Sequence, residues 1–224
     1  MAYIHEIAQL FRGYADDPDQ TFFSDADVAV ALKLGYQEFR NIVFKAAPEV
    51  YETTYSANVA GTSLALAGIL FGANPTKTRC LRITRVEMVS DLTANAAFQG
   101  LMDPASSREN LYSGWAQTRW LIQGTNLIFS ASVARAIRIN YLPDDTLNWA
   151  AGIVSGSNVY VDDLTNFHDL VALLAYQQYA IRDFTDNPAL VQQLRKRLAD
   201  FAGFLSMGRT GDADRWVQSE DDGW

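Results

Sequence analysis

The residues able to move a proton or hold a metal are few, and their spacing argues against either task. The two histidines, His5 and His168, lie far apart, and neither has a second histidine at i+3 or i+4. No helical face therefore offers the paired imidazoles that a zinc ion takes. His168, beside Asp169 at an expected helix start, reads as a surface or capping-region residue rather than a general base. Asp16, Asp17 and Asp19 resemble an oxygen-ligand loop, but the glycine and closing glutamate of a calcium loop do not follow at the required offsets. That run reads as a solvated turn ending a helix, as do Asp144-Asp145 and Asp162-Asp163. A phosphate-cradling loop, nucleophile elbow and dinucleotide fingerprint are absent, and the stretch from Gly68 to Gly72 lacks the lysine a phosphate loop needs. The expectation is a protein without catalysis, cofactor or metal.

Basic side chains gather at two places, Lys77, Arg79, Arg82 and Arg85 near one strand, and Arg195, Lys196 and Arg197 on the last helix. Each group reads as a solvated face or one half of an intersubunit ion-pair set, since no aromatic residues interleave to stack bases. A net charge of -8 argues against a protein that grips nucleic acid over its whole surface. The one cysteine, Cys80, excludes an internal disulfide and a cysteine-rich zinc site, and its apolar surroundings predict a buried structural thiol. The N-terminus carries Glu6 and no basic segment before an apolar run, so no signal peptide is expected, and a reducing cytoplasm is the expected site of synthesis. No apolar run approaches the ~20 residues of a membrane span.

The elements that would position these groups begin with a helical hairpin from Asn166 to Leu205, closed by an Asp-Asn-Pro turn. Asn166 and Asp169 have the spacing of an N-cap and its third helical position. Leu170, Leu174 and Ile181 form one apolar stripe, and Leu173, Tyr176, Ala180 and Phe184 another, so this helix must pack on further helices or on a neighbouring subunit. Asn187 caps the second helix, Pro188 sits in its first turn, and Leu190, Leu194, Leu198, Phe201 and Leu205 face inward. Near the N-terminus, Tyr3 to Tyr14 forms a short amphipathic helix with Ile4, Ile7, Leu10 and Phe11 on one side. Ser24 and Asp27 make a capping box that opens a helix from Asp25 to about Ala46, its stripe being Val28, Leu32, Tyr36, Phe39 and Val43. Val30 and Leu34 lie off that stripe and also want cover.

From Glu49 to Tyr141 the period changes from helical to alternating. Strands are predicted around Tyr51 to Tyr55, over Leu81 to Val89 and over Arg135 to Tyr141, with a hairpin from Trp120 to Phe129 turning at Gly124. Leu64 to Phe71 should give strand pieces and an adaptable loop. The fold class is α+β: a bundle of about four helices with an inserted β-rich module and an extended C-terminal arm. The divisions are 1–47 for the N-terminal helices, 48–142 for the β-rich module, 143–206 for the helical hairpin and 207–224 for the arm. No lysine or arginine occurs between Ile139 and Ile181, which predicts an acidic patch from Asp144, Asp145, Asp162, Asp163 and Asp169. The arm cannot bury enough apolar area to fold alone, yet carries Trp216, Val217 and Trp224. It is either a docking arm that orders on a partner or a disordered end.

The order of elements resembles the head-to-tail connector (adaptor) proteins of tailed bacteriophages, which sit beneath the portal. The residues that carry this are Leu34-Gly35-Tyr36-Gln37-Glu38-Phe39-Arg40 on the second helix, Ile137-Arg138-Ile139-Asn140-Tyr141-Leu142-Pro143 at the end of the insertion, and Phe167-His168-Asp169-Leu170-Val171 opening the hairpin. The resemblance covers about Ser24 to Phe204 and is one of layout and soft motifs. It implies a homo-oligomeric ring of about twelve copies joining the portal to a tail or nozzle protein. Viral DNA would pass through without sequence-specific binding, in the neck of the virion and with no membrane involved. It further implies portal docking by Trp216, Val217, Trp224, Asp212, Asp214 and Arg215. Leu66, Ile69, Leu70 and Phe71 would meet the tail or a neighbour, and Asp162 and Asp163 would face the channel. The alternatives are another phage tail-completion or stopper protein, or a non-viral α+β binding module.

Overall fold

The structure is a computed structural model that describes residues 3–17, 19, 21–66, 80–93, 96–112, 118–183 and 187–207. The architecture is α+β, divided into a helical unit of Met1–Ala47 with Asp145–Trp224 and a β unit of Pro48–Asp144. The expected arm beyond Met207 lies outside the described residues.

In the helical unit, α1 (Ile4–Tyr14) buries Ile4, Ile7, Ala8 and Phe11. Its end is a Schellman arrangement, with Asp17 N–H donating to Arg12 O at 2.9 Å and Asp16 N–H to Gly13 O at 3.4 Å. The residue in the left-handed conformation there is Asp16, at φ 54°. α2 (Asp25–Ala46) opens with the expected capping box, Asp27 N–H donating to Ser24 Oγ and Ser24 N–H to Asp27 Oδ2, each at 3.2 Å. Val28, Leu32, Tyr36, Phe39 and Val43 are all buried.

A short helix, α4 (Trp149–Gly152), precedes a 3-10 turn at Thr165–Phe167 that leads into α5 (His168–Asp183). Asn166, the expected cap, lies inside that 3-10 turn, and both Asp169 oxygens accept from Arg197, at 2.6 and 2.5 Å. Leu170 to Ala175 are buried without a break, so α5 is the central helix. Its cover comes from α1, α2 and α6 (Pro188–Met207) of the same chain. At Gly35 the backbone of α2 meets α5 so closely that an added Cβ would lie 2.5 Å from Val171 O and 2.8 Å from Ala175 N. On α6, Asn187 Oδ1 accepts from Leu190 N–H at 3.3 Å, and Leu194, Phe201 and Leu205 are buried. Phe201 stacks on Phe39 with ring centroids 4.8 Å apart.

In the β unit the strands are β1 (Thr53–Ala65), β2 (Cys80–Val89), β3 (Phe98–Pro104), β4 (Arg119–Gln123) and β5 (Asn126–Pro143), with α3 (Arg108–Tyr112) between β3 and β4. The sheet order is β1-β5-β2-β3-β4, and β4 pairs again with β5. β5, β2, β3 and β4 therefore close into a small barrel, with β1 running outside along β5. The hairpin sequence Gln123 to Asn126 turns on Gly124, whose φ of 58° suits the first central position of a two-residue turn. Beyond that turn, Leu127 to Phe129 and Arg135 to Tyr141 belong to one continuous strand. The barrel core holds Ile83, Val86, Met102, Trp120, Leu127, Phe129, Ile137 and Ile139. Trp120 Nε1 donates to Met102 O at 3.0 Å, which satisfies the one polar atom of that ring.

Candidate functional site

Two internal clusters of charged groups and one surface groove stand out in the helical unit. In the first cluster Asp162 is the hub. Its Oδ1 lies 2.6 Å from His168 Nε2 and accepts from Leu164 N–H at 2.9 Å, while its Oδ2 accepts from the Tyr36 hydroxyl at 3.0 Å. His168 is fully buried at the start of α5, with the Phe39 ring edge-on to it. The cluster ties α2, the segment before α5, and α5 itself into one knot. It corrects two expectations. His168 is a core residue rather than a surface one, and Asp162 is turned inward with its side chain 11% exposed, so it offers no charge to a channel.

The second cluster centres on Arg12, a buried arginine on α1. It donates to Asp17 Oδ2 at 3.0 Å, to Phe23 O at 2.9 Å and to Asp25 Oδ1 at 2.7 Å. Asp17 also accepts the backbone N–H groups of Thr21, Phe22 and Phe23. Burial raises the Asp17 pKa, but those three N–H donors and the Arg12 guanidinium together hold it below the ordinary carboxylate value. The expected solvated Asp turn is thus, at Asp17, a buried anchor that closes the loop between α1 and α2.

The acids of the stretch between Ile139 and Ile181 are mostly engaged. Asp145 accepts from Trp149 Nε1 at 2.8 Å and from Leu147 N–H at 2.9 Å. Asp169 is paired with Arg197, and Asp163 stays on the surface, accepting from the Tyr160 hydroxyl at 2.9 Å. That bond, with burial and the nearby carboxylates, raises the Tyr160 pKa. Of the five acids expected to form a patch, Asp163 is the exposed one.

The surface groove lies between α2 and α5. Val30, Ala31 and Leu34 line one wall and Gln178 and Tyr179 the other, enclosing about 140 Å³. Val30 is 58% exposed and Leu34 43%. The cover these residues want is not supplied by the described part of this chain.

No protein-family model matches the chain, and no curated protein matches it. What the chain can do is therefore argued from its own geometry.

Among the interface candidates, Leu66 is fully buried in the β unit, and its N–H donates to Thr125 O at 2.8 Å. It is a core residue, because the strand pleat continues past β1 and turns Leu66 to the inside. Ile69, Leu70 and Phe71 lie outside the described residues, as do Asp212, Asp214, Arg215, Trp216, Val217 and Trp224. Of the basic groups, Lys77 and Arg79 are likewise outside. Arg85 pairs within the chain, with Glu52 at 2.9 Å and Glu87 at 3.1 Å. Arg195 and Lys196 are exposed on α6. Cys80 is buried as expected, and burial pushes its thiol up to about 11, which keeps it protonated and inert at neutral pH.

Among the described residues no group of three or more His, Cys, Asp or Glu is placed to hold a metal ion, and no helix is long and apolar enough to cross a membrane. The β unit carries an open cleft of about 470 Å³ beside β3 and β5, lined by Met88, Leu101, Ser132 and Arg135 among others. The buried anchor that the sequence pattern did not reveal is Arg12. Its partners Asp17 and Asp25 lie five and thirteen positions on, across a loop rather than at helical spacing.

Proposed function

We propose that this chain is a structural head-to-tail connector of a tailed bacteriophage, one subunit of a ring that joins the portal to the tail and surrounds the exiting DNA. The observation that carries the reading is the bare α2 row. A helical unit whose central helix buries Leu170 to Ala175 still exposes Val30 and Leu34 beside a groove, as a subunit made to pack against a copy of itself would. The layout supports it, since helices at both ends of the chain frame a β-rich insertion in the order that the connector resemblance demands. The net charge of -8 suits a conduit, because fixed negative charge lets DNA slide without counterion-releasing contacts.

The test is a pull-down of the purified chain, intact and cut after Met207, against assembled portal rings, with negative-stain imaging of any complex. The intact chain should add a ring to the portal, and the cut chain should not. Binding by neither form overturns portal docking.

One observation favours a second reading, a binding module with a ligand in the β unit. The cleft of about 470 Å³ has the size of a small-molecule site and presents Ser132 and Arg135. A small-anion panel that raises the melting temperature of the intact chain, with the rise abolished by Arg135→Ala, would favour it over the connector.

A further inference from the structure

On the connector reading, each subunit needs two different faces that fit each other, because a closed ring is built from one repeated heterologous contact. We propose that the contact sets α2 of one copy against α6 of the next, with Val191 seated in the α2–α5 groove and Arg195 beside Glu38.

The α2 face is an i, i+4 row of Val30, Leu34 and Glu38, all exposed, with the groove alongside its first two members. The α6 face is another such row, Val191 and Arg195 followed by Ala199, with Lys196 beside it and Ala202 below. Val191 is 39% exposed, an apolar side chain of the size that a groove of about 140 Å³ accepts. The alanines let another helix approach closely. Among the described residues no ion pair joins Glu38, Arg195 or Lys196 to any group, so these charges remain available to a partner.

The direction of the helices selects a rotation axis along the helices over a two-fold axis across them. Within the chain α2 and α5 run antiparallel, since Tyr179 reaches Asp27 O while His168 lies against Phe39. α5 and α6 run antiparallel as well, since Arg197 holds Asp169. It follows that α2 and α6 run parallel. Rotation about an axis along the helices preserves direction, so α6 of the next copy meets α2 in the parallel sense. In that sense, seating Val191 by Leu34 carries Arg195, four residues and ~6 Å further along, to Glu38, four residues beyond Leu34. In the antiparallel sense Arg195 would fall on Val30, a basic group on an apolar one.

The test uses the full chain with single engineered thiols, Leu34→Cys in one preparation and Val191→Cys in another, treated with a short bismaleimide with and without portal rings. The inert, buried Cys80 adds no background. Equal mixtures should cross-link into mixed dimers, whereas neither preparation alone should. Introducing Glu38→Arg or Arg195→Glu into both preparations should each cut the mixed dimer by about two- to fivefold, and carrying both reversals should restore it. Circular dichroism checks that each variant stays folded. Three results overturn the contact: no mixed dimer up to ~1 mM chain or on the portal, self-linking of the Leu34→Cys preparation, or cross-linking blind to charge reversal. A mixed dimer that forms although portal rings capture nothing leaves the contact standing and sinks the connector reading alone.

Discussion

Asp17 shows how much one residue can change meaning between a string and a fold. In the sequence it is the middle of an acidic turn, and in the structure it is 2% exposed and surrounded by donors. Its folded pKa is lowered, so it binds its proton less readily in the folded chain than in the unfolded one. The stabilisation it gives is then complete above the unfolded carboxylate value of about 3.9 and is lost as pH falls through the lower folded value. Asp17→Asn should lower the melting temperature at pH 7, and the gap from the parent should close as pH drops below about 4. Urea unfolding of the two proteins across that range checks it, and a gap independent of pH would assign the loss to shape rather than charge. His168 had the same fate. Its partner Asp162 lies six positions back across an irregular segment, where no periodicity points to it.

At the scale of elements, the close approach of α2 and α5 is the least forgiving contact. Gly35 meets backbone atoms, which cannot swing aside as the tip of a side chain can. Gly35→Ala should cost about 1–3 kcal/mol by forcing the helices apart, read as a lower urea midpoint with an unchanged slope. Gain or no change would mean that the helices part freely. The four longer helices were legible from their apolar stripes, with the Ser24–Asp27 box setting the start of α2 and Asn187-Pro188 that of α6, whereas the short α3 and α4 were missed. The strands were legible where apolar and polar residues alternate, as in Ile137 to Tyr141. β3 was missed, because Phe98-Gln99-Gly100-Leu101-Met102 exposes Phe98 and Leu101 while burying Met102, and a glycine breaks the alternation.

For the whole molecule, the exposed α2 row separates folding from assembly. Val30→Asp with Leu34→Asp should shift stability by no more than about 1 kcal/mol in all, about 0.5 kcal/mol at each site, because both side chains are partly open to water. The same pair should abolish ring formation on the portal. A large loss of stability instead would mean that the row is covered within one chain, which would remove the main support for a ring. Val30 and Leu34 were visible beforehand as residues off the core stripe, but only the positions of α1, α5 and α6 show that the described residues leave them bare.

What the sequence determined by itself was the α+β class, the helical ends around a β-rich insertion, the caps of α2 and α6, and the burial of Cys80. These depend on local rules: hydrophobic period, cap chemistry and turn residues act within a few positions. Only the tertiary structure decided that Asp162 and Asp17 point inward, that Leu66 is core, that β4 returns to close a barrel, and that Arg85 pairs within the chain. Those outcomes rest on partners far along the chain, as Tyr36 is from Asp162, and burial depends on what arrives from elsewhere rather than on a residue's neighbours in sequence.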